Sequence, residues 1–191
     1  MRIITGSAKG RVLATLPGED TRPTAERTKE AIFSMLQFEL EGRKILDLFS
    51  GSGQMGLEAL SRGAASAVLV DRSRDAVAII QKNAIATRLN DRCRILCVDG
   101  VEYLKRETGA GFDIVFLDPP YATDLIKTSL EILLAKSLLK QGSLVVCESS
   151  KEDVFEGDDA LASRFDIVKK SRYGIAWVTI LTPAEAERSD A

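Results

Sequence analysis

The sequence predicts an α/β protein with a doubly wound, Rossmann-like sheet: seven strands, mostly parallel, an antiparallel hairpin at the C-terminal edge, and a small N-terminal β-hairpin and helix in front. Three observations carry this. From residue 44 onward, short and nearly continuous apolar runs alternate with helix-periodic segments, as strands buried on both faces of a parallel sheet require. The last two strand candidates are separated by almost no chain, which only antiparallel pairing permits. A chain of 191 residues, 45% hydrophobic and 28% charged, can bury one proper core and is not a disordered composition.

Taken in order, "RIIT" and "RVLATL" flank the turn-rich "GSAKG" and read as a short hairpin. "PGEDTRP" is a loop. "TAERTKEAIFSMLQFEL" is helical, with Thr24 as cap, Ala31, Ile32, Met35 and Leu36 as the apolar stripe, and Gly42 as the stop. Then come strand "KILDLF", helix "GQMGLEALSRG", strand "SAVLVD", helix "RDAVAIIQKNAIATRL", strand "CRILCVD" and a short helix around "VEYLKRE". Strand "FDIVFLD", helix "TDLIKTSLEILLAKSL" and strand "GSLVVCES" follow, before the hairpin of "FDIVKKSRYG" and "IAWVTILT". The final "PAEAERSDA" reads as a frayed tail. The expected organisation is an N-terminal extension over residues 1–40, a main α/β domain over 41–183 and a tail over 184–191.

Composition removes several function classes. The chain has no histidine, which excludes His-based triads, imidazole ligation of haem and most catalytic zinc sites. Cys93, Cys97 and Cys147 form neither a disulfide framework nor a metal pattern, and Cys97 and Cys147 fall in apolar runs that predict buried, inert thiols. No apolar run reaches the length of a membrane span, and the opening residues lack the apolar core of a signal peptide, so the expected location is cytoplasmic. The net charge of −2 does not advertise nucleic acid as a partner. The N-terminal segment is nonetheless locally basic, with Arg2, Lys9, Arg11, Arg22, Arg27 and Lys29 against Glu19, Asp20 and Glu26.

Ligands of parallel sheets bind beyond the carboxyl ends of the strands. There the sequence places Asp47 and the loop Phe49–Ser50–Gly51–Gly53, then Asp71 with Arg72, Asp99 with Gly100, and Asp118. Gly51, Gly53 and Gly56 fit the G-x-G-x-x-G of dinucleotide sites, with Asp71 20 positions after Gly51. Asp47, just ahead of the glycines, argues for another ligand: it opposes a pyrophosphate but favours the ammonium and sulfonium of S-adenosylmethionine. On this reading Gly51 and Gly53 let the backbone approach the methionine part. Asp71 accepts from the ribose hydroxyls and Asp99 from the adenine amine.

"FDIVFLDPPY" supplies the chemical end. Asp118 closes an apolar strand, Pro119 and Pro120 fix the backbone beyond it, and Tyr121 offers a face on which a base can stack. A carboxylate beside a rigid carbonyl is a pair of acceptors for an exocyclic amine. Such an acceptor pair steers a delocalised nitrogen lone pair toward an electrophilic methyl without any histidine.

At these residues the sequence resembles class I S-adenosylmethionine-dependent methyltransferases with the [DNS]-PP-[YFW] motif of amino methylation. "MRIITGSAKGR", "TRPTAERTKEAIFSML", "ILDLFSGSGQMGLEALSRGA", "VDRS" and "FLDPPY" follow in an order similar to the bacterial small-subunit rRNA guanine-N2 methyltransferases, the RsmD-like family. The resemblance covers roughly residues 1–182, and Gln54 and Met55 depart from what relatives often carry. It implies methylation of the 2-amino group of one guanine in 16S rRNA, within an assembling 30S particle, with S-adenosylmethionine as donor and no metal. Asp118, Pro119, Pro120 and Tyr121 would then form the target site, Asp47, Phe49, Ser50, Gly51, Gly53, Asp71, Arg72, Asp99 and Gly100 the donor site, and Lys9, Arg11, Arg22, Arg27 and Lys29 the RNA contacts. The residues alone leave open an amino methyltransferase acting on adenine or a protein glutamine. They also leave open a non-catalytic RNA-binding assembly factor and a nicotinamide oxidoreductase, the last disfavoured by Asp47.

Overall fold

The computed structural model describes residues 1–16, 23–109, 111–120 and 123–185. Helix α1 (Pro23–Met35) leads into β1 (Lys44–Asp47), α2 (Gln54–Ser61), β2 (Ser66–Asp71), α3 (Arg74–Thr87), β3 (Cys93–Cys97) and α4 (Gly100–Arg106). Strand β4 (Phe112–Leu117), α5 (Leu125–Ala135), β5 (Leu139–Ser149), α6 (Asp159–Ala162), β6 (Phe165–Tyr173) and β7 (Ala176–Pro183) complete it. The seven strands form one sheet in the order β3-β2-β1-β4-β5-β7-β6. The first five are parallel, and β7 inserts antiparallel between β5 and β6. The fold class and the C-terminal edge hairpin are therefore as the sequence predicts.

The apolar strands are continuous because each serves two cores. Ile45, Leu69, Ile114 and Phe116 face a cluster with Ile32 and Phe33 of α1, Leu57 and Leu60 of α2, and Ile80 and Ala84 of α3. Their neighbours Leu46, Val70, Val115 and Leu117 face the opposite cluster, with Leu104 of α4 and Leu130 and Leu133 of α5. Successive strand residues point to opposite sides, so with helices on both faces no position is left for a polar residue.

The expected N-terminal hairpin is present in minimal form: Arg2 and Val12 make one antiparallel bridge, the Ile3 amide donates to the Arg11 carbonyl and the Leu13 amide to the Met1 carbonyl at 2.9 Å each, while the Ile4 and Thr5 amides donate to Glu58 of α2. Two local expectations are corrected. Helix α1 begins at Pro23, so Thr24 lies inside its first turn and not at the cap; proline suits that position because its missing N–H has no helical partner there. Cys97 is exposed, not buried, since β3 is the outermost strand; Cys147, on the interior β5, is buried as expected.

Residues 1–13 are part of the same core, with Ile3, Ala8 and Leu13 almost fully buried. The contact is close: a Cβ on Gly6, whose φ is +88°, would lie 1.8 Å from the Ser61 carbonyl oxygen. Only glycine fits at that backbone angle and separation. Among the described residues no helix is long and apolar enough to cross a membrane.

Candidate active site

The strand order brings the predicted carboxylates to one rim. Asp47 ends β1 and Asp71 ends β2; Asp99 lies two residues past β3 and Asp118 one past β4. In space the rim therefore reads Asp99, Asp71, Asp47, Asp118. Strands β1 and β4 are adjacent although distant in sequence, which makes the gap between Asp47 and Asp118 the switch point where doubly wound sheets hold ligands.

On the β1–β3 side, backbone amides fix the carboxylates. The Gly51 amide donates to Asp71 Oδ2 at 2.9 Å and the Ser73 amide to Asp71 Oδ1 at 2.8 Å. The Gly56 amide donates to Asp47 Oδ2 at 2.9 Å. Asp99 caps α4, its Oδ1 accepting from the Val101 and Glu102 amides at 2.9 and 3.1 Å. Gly51 and Gly53 hold φ of +53° and +78°, the left-handed turn that feeds α2. Asp47 is 3% exposed, and burial, reinforced by the charge of Asp71, pushes its carboxyl up to about 7 against the pull of the Gly56 amide. The group is thus short of a positive partner. A ligand that brings an ammonium or sulfonium fits it, and one that brings a pyrophosphate does not.

Not every residue expected at the donor site faces outward. Ser50 is buried, with its hydroxyl donating to the Asp47 carbonyl at 2.6 Å and accepting from the Val70 amide at 3.0 Å. Its side chain latches the loop to β2 and is not available to a ligand. Gly100 is packed the same way: a Cβ there would sit 3.0 Å from the Phe49 ring and 3.2 Å from the Leu48 carbonyl oxygen, so its absence makes room for the loop after β1. Phe49 is half-buried and Arg72 exposed.

The β4–β5 side is a cleft. Lys29 and Ile32 of α1, Gln54 and Met55 of α2, Phe116, Leu117 and Asp118, and Val146 and Glu148 of β5 line a cleft that opens to solvent. Asp118 is exposed, Pro119 buried and Pro120 exposed, and the Thr123 hydroxyl donates to the Pro120 carbonyl at 2.9 Å. Tyr121 and Arg22 lie outside the described residues.

The cleft wall rests on an ionic cluster that the sequence reading missed. Glu58, on the buried face of α2, accepts from the Ile4 amide at 2.7 Å, the Thr5 amide at 3.1 Å and Arg62 Nε at 2.8 Å. Lys29 Nζ lies 3.2 Å from Glu58 Oε2 and donates to the Arg2 carbonyl at 2.9 Å. Arg62 also sits over the Phe33 ring, and Phe33 packs against Phe116, two residues before Asp118. Lys29 is 3% exposed, and burial holds its ammonium below the ordinary lysine range although Glu58 opposes this. The expectation that Lys29 contacts RNA phosphate is therefore wrong: the side chain is enclosed and paired. Lys9, Arg11 and Arg27 are exposed. Asn83 was missed too; its amide accepts from the Ala14 amide and donates to the Ala14 and Ser52 carbonyls, tying the N-terminal segment to the glycine loop. The sequence signal for Glu58 was a lone carboxylate between Leu57 and Ala59-Leu60 in a helix with no polar face there.

Sheet order, glycine turn and acidic rim define a class I S-adenosylmethionine-dependent methyltransferase fold. Residues 1–182 match the family described as "Conserved hypothetical protein 95". The chain belongs to this family, the RsmD/YlbH family of rRNA methyltransferases. It is 36% identical over 184 residues to "Putative rRNA methyltransferase YlbH" of Bacillus subtilis (strain 168), covering 94% of this chain and 97% of that one. It is 34% identical over 153 residues to "Ribosomal RNA small subunit methyltransferase D" of Escherichia coli (strain K12), covering 80% and 76%. The solved structure of "Putative methyltransferase yhhF from Escherichia coli" superposes with a TM-score of 0.83 at 28% identity, covering 96% and 97%.

Proposed function

We propose that this protein transfers a methyl group from S-adenosylmethionine to the exocyclic 2-amino group of a guanine in 16S rRNA, within the small ribosomal subunit and in the cytoplasm. The observation that carries the reading is the position of Asp118, which lines a cleft across the switch point from the acidic rim that ends in Asp47 and is followed directly by Pro119 and Pro120. The names of two relatives, which specify ribosomal RNA, support the substrate class.

S-adenosylmethionine, when bound, supplies an electrophilic methyl on a sulfonium. Asp47 provides negative charge for its cationic end, the loop of Gly51 and Gly53 a close backbone approach, and Asp71 and Asp99 acceptors for hydroxyl and amine. Asp118 and the Pro119 carbonyl accept the two hydrogens of the target amine, which aims its lone pair and stabilises the positive charge that develops on nitrogen. Asp118 or water takes the proton afterwards. A paired guanine has its amino group occupied, so the base must leave its stack to reach the cleft. On this reading the exposed Lys9, Arg11 and Arg27 meet phosphates, and Arg22, outside the described residues, is expected to join them.

The test is labelled donor with small subunits that lack the modification, followed by mapping of the label. Asp118→Ala is expected to slow single-turnover transfer by about a hundredfold or more, while donor affinity measured by calorimetry stays within about twofold. Undiminished turnover would remove Asp118 from the chemistry. Label on adenine or on a protein glutamine would replace the substrate, and donor binding without any transfer would leave an assembly factor.

A further inference from the structure

The cleft contains a polar atom that the mechanism above does not use. Gln54 opens α2 directly after the glycine turn and lines the cleft together with Asp118. Its Oε1 is buried and, among the described residues, has no hydrogen-bond partner. An unpaired buried carbonyl is costly, and proteins retain one where a ligand completes it. The rest of the lining is mainly apolar: Ile32, Met55, Phe116, Leu117 and Val146 offer a base a surface but no hydrogen bond from their side chains, and the charged Lys29 and Glu148 both have partners within the protein.

Resting on the guanine reading above, we propose that Gln54 reads the target base by accepting its N1–H. The edge of guanine carries the 2-amino group and the N1–H side by side, both donors, whereas adenine presents a bare N1 beside its amine. With Asp118 and the Pro119 carbonyl engaged by the 2-amino hydrogens, the neighbouring donor needs an acceptor on the same wall of the cleft. Among the described residues, Gln54 Oε1 is the buried cleft acceptor left unpaired. Methylation at the 2-amino nitrogen does not consume the N1–H. Gln54 is thus a specificity-determining residue that positions the base and takes no proton.

The test varies the base and the side chain together. Small subunits are reconstituted with guanine or with 2-aminopurine at the mapped target; the analogue keeps the 2-amino group and has no proton at N1. Gln54→Leu removes the acceptor. Gln54→Glu keeps an acceptor but, unlike the amide, has no N–H to turn toward a bare N1. The ratio of guanine to 2-aminopurine turnover, measured on one preparation of each protein, does not depend on the fraction folded. That ratio should fall by about ten- to a hundredfold in the Leu variant and should rise in the Glu variant, with donor affinity by calorimetry within about twofold of the parent. A ratio unchanged across the three proteins overturns the inference and leaves the functional reading intact. No transfer to guanine by the parent protein overturns that reading and this inference with it.

Discussion

On the β1–β3 side of the rim, acidic side chains are held mostly by amides close to them in the chain. Asp71 binds Ser73 and, reaching back 20 residues, Gly51; Asp99 binds Val101 and Glu102, and Asp47 binds Gly56. On the β4–β5 side the supports come from far away. Glu58 reaches Ile4 and Thr5, Lys29 reaches Arg2, and Ser61 accepts from the Ala8 amide and donates to the Thr5 carbonyl. Turn geometry organises the β1–β3 half, whereas the β4–β5 half is assembled by docking the N-terminal segment and α1 onto α2. A site built by turns tolerates loss of distant contacts; a site built by docking fails when one buried charge is stranded.

Breaking the docking should give the largest effect. Glu58→Ala leaves Lys29 enclosed without its carboxylate and is expected to destabilise the protein by about 3–5 kcal/mol, read as a lower denaturation midpoint in urea. If residues 1–13 dock independently of Glu58, the midpoint will hardly move. Glu58→Gln, which retains an acceptor for Ile4 or Thr5, should fall between the two.

The β1–β3 half can be probed by pH. Asp47 is raised from 3.8 to about 7 in the unliganded protein, so its contribution to stability is complete below pH 4 and is lost as pH rises through 7. Binding of a cationic donor has the opposite sign, because it needs the carboxylate. Donor affinity should therefore fall by up to about tenfold per unit as pH drops below 7, and Asp47→Asn should flatten the profile. A flat profile in the parent protein would detach Asp47 from the donor. The smallest effects belong to the exposed cations. Lys9→Ala, Arg11→Ala or Arg27→Ala should each reduce the salt slope of RNA binding by about one and leave donor affinity unchanged.

This contrast also decides what could be read in advance. The placement of the β1–β3 half was legible: Gly51, Gly53, Asp47, Asp71 and Asp99 are all named by short-range spacing, and the strand order puts their strands side by side. The misread residues are those whose role is set by a partner far along the chain. Lys29 looked like one more cation of a basic segment, and only the position of Glu58, 29 residues later, makes it a buried ion pair. Ser50 looked like part of a ligand loop, and its hydroxyl is engaged by Val70. Cys97 sits in a run as apolar as Cys147, but one strand is at the edge and the other is covered.

The sequence by itself determined the alternation of strands and helices, the antiparallel closing hairpin, the glycine turn and a carboxylate at four successive strand ends. Each follows from side-chain periodicity or from backbone freedom within a few residues. The tertiary structure alone decided that the N-terminal segment belongs to the core, that Glu58 secures it, and that Gln54 faces the same cleft as Asp118. Those outcomes depend on burial, which removes water from a charge or an amide and compels it to find whatever partner the fold brings near.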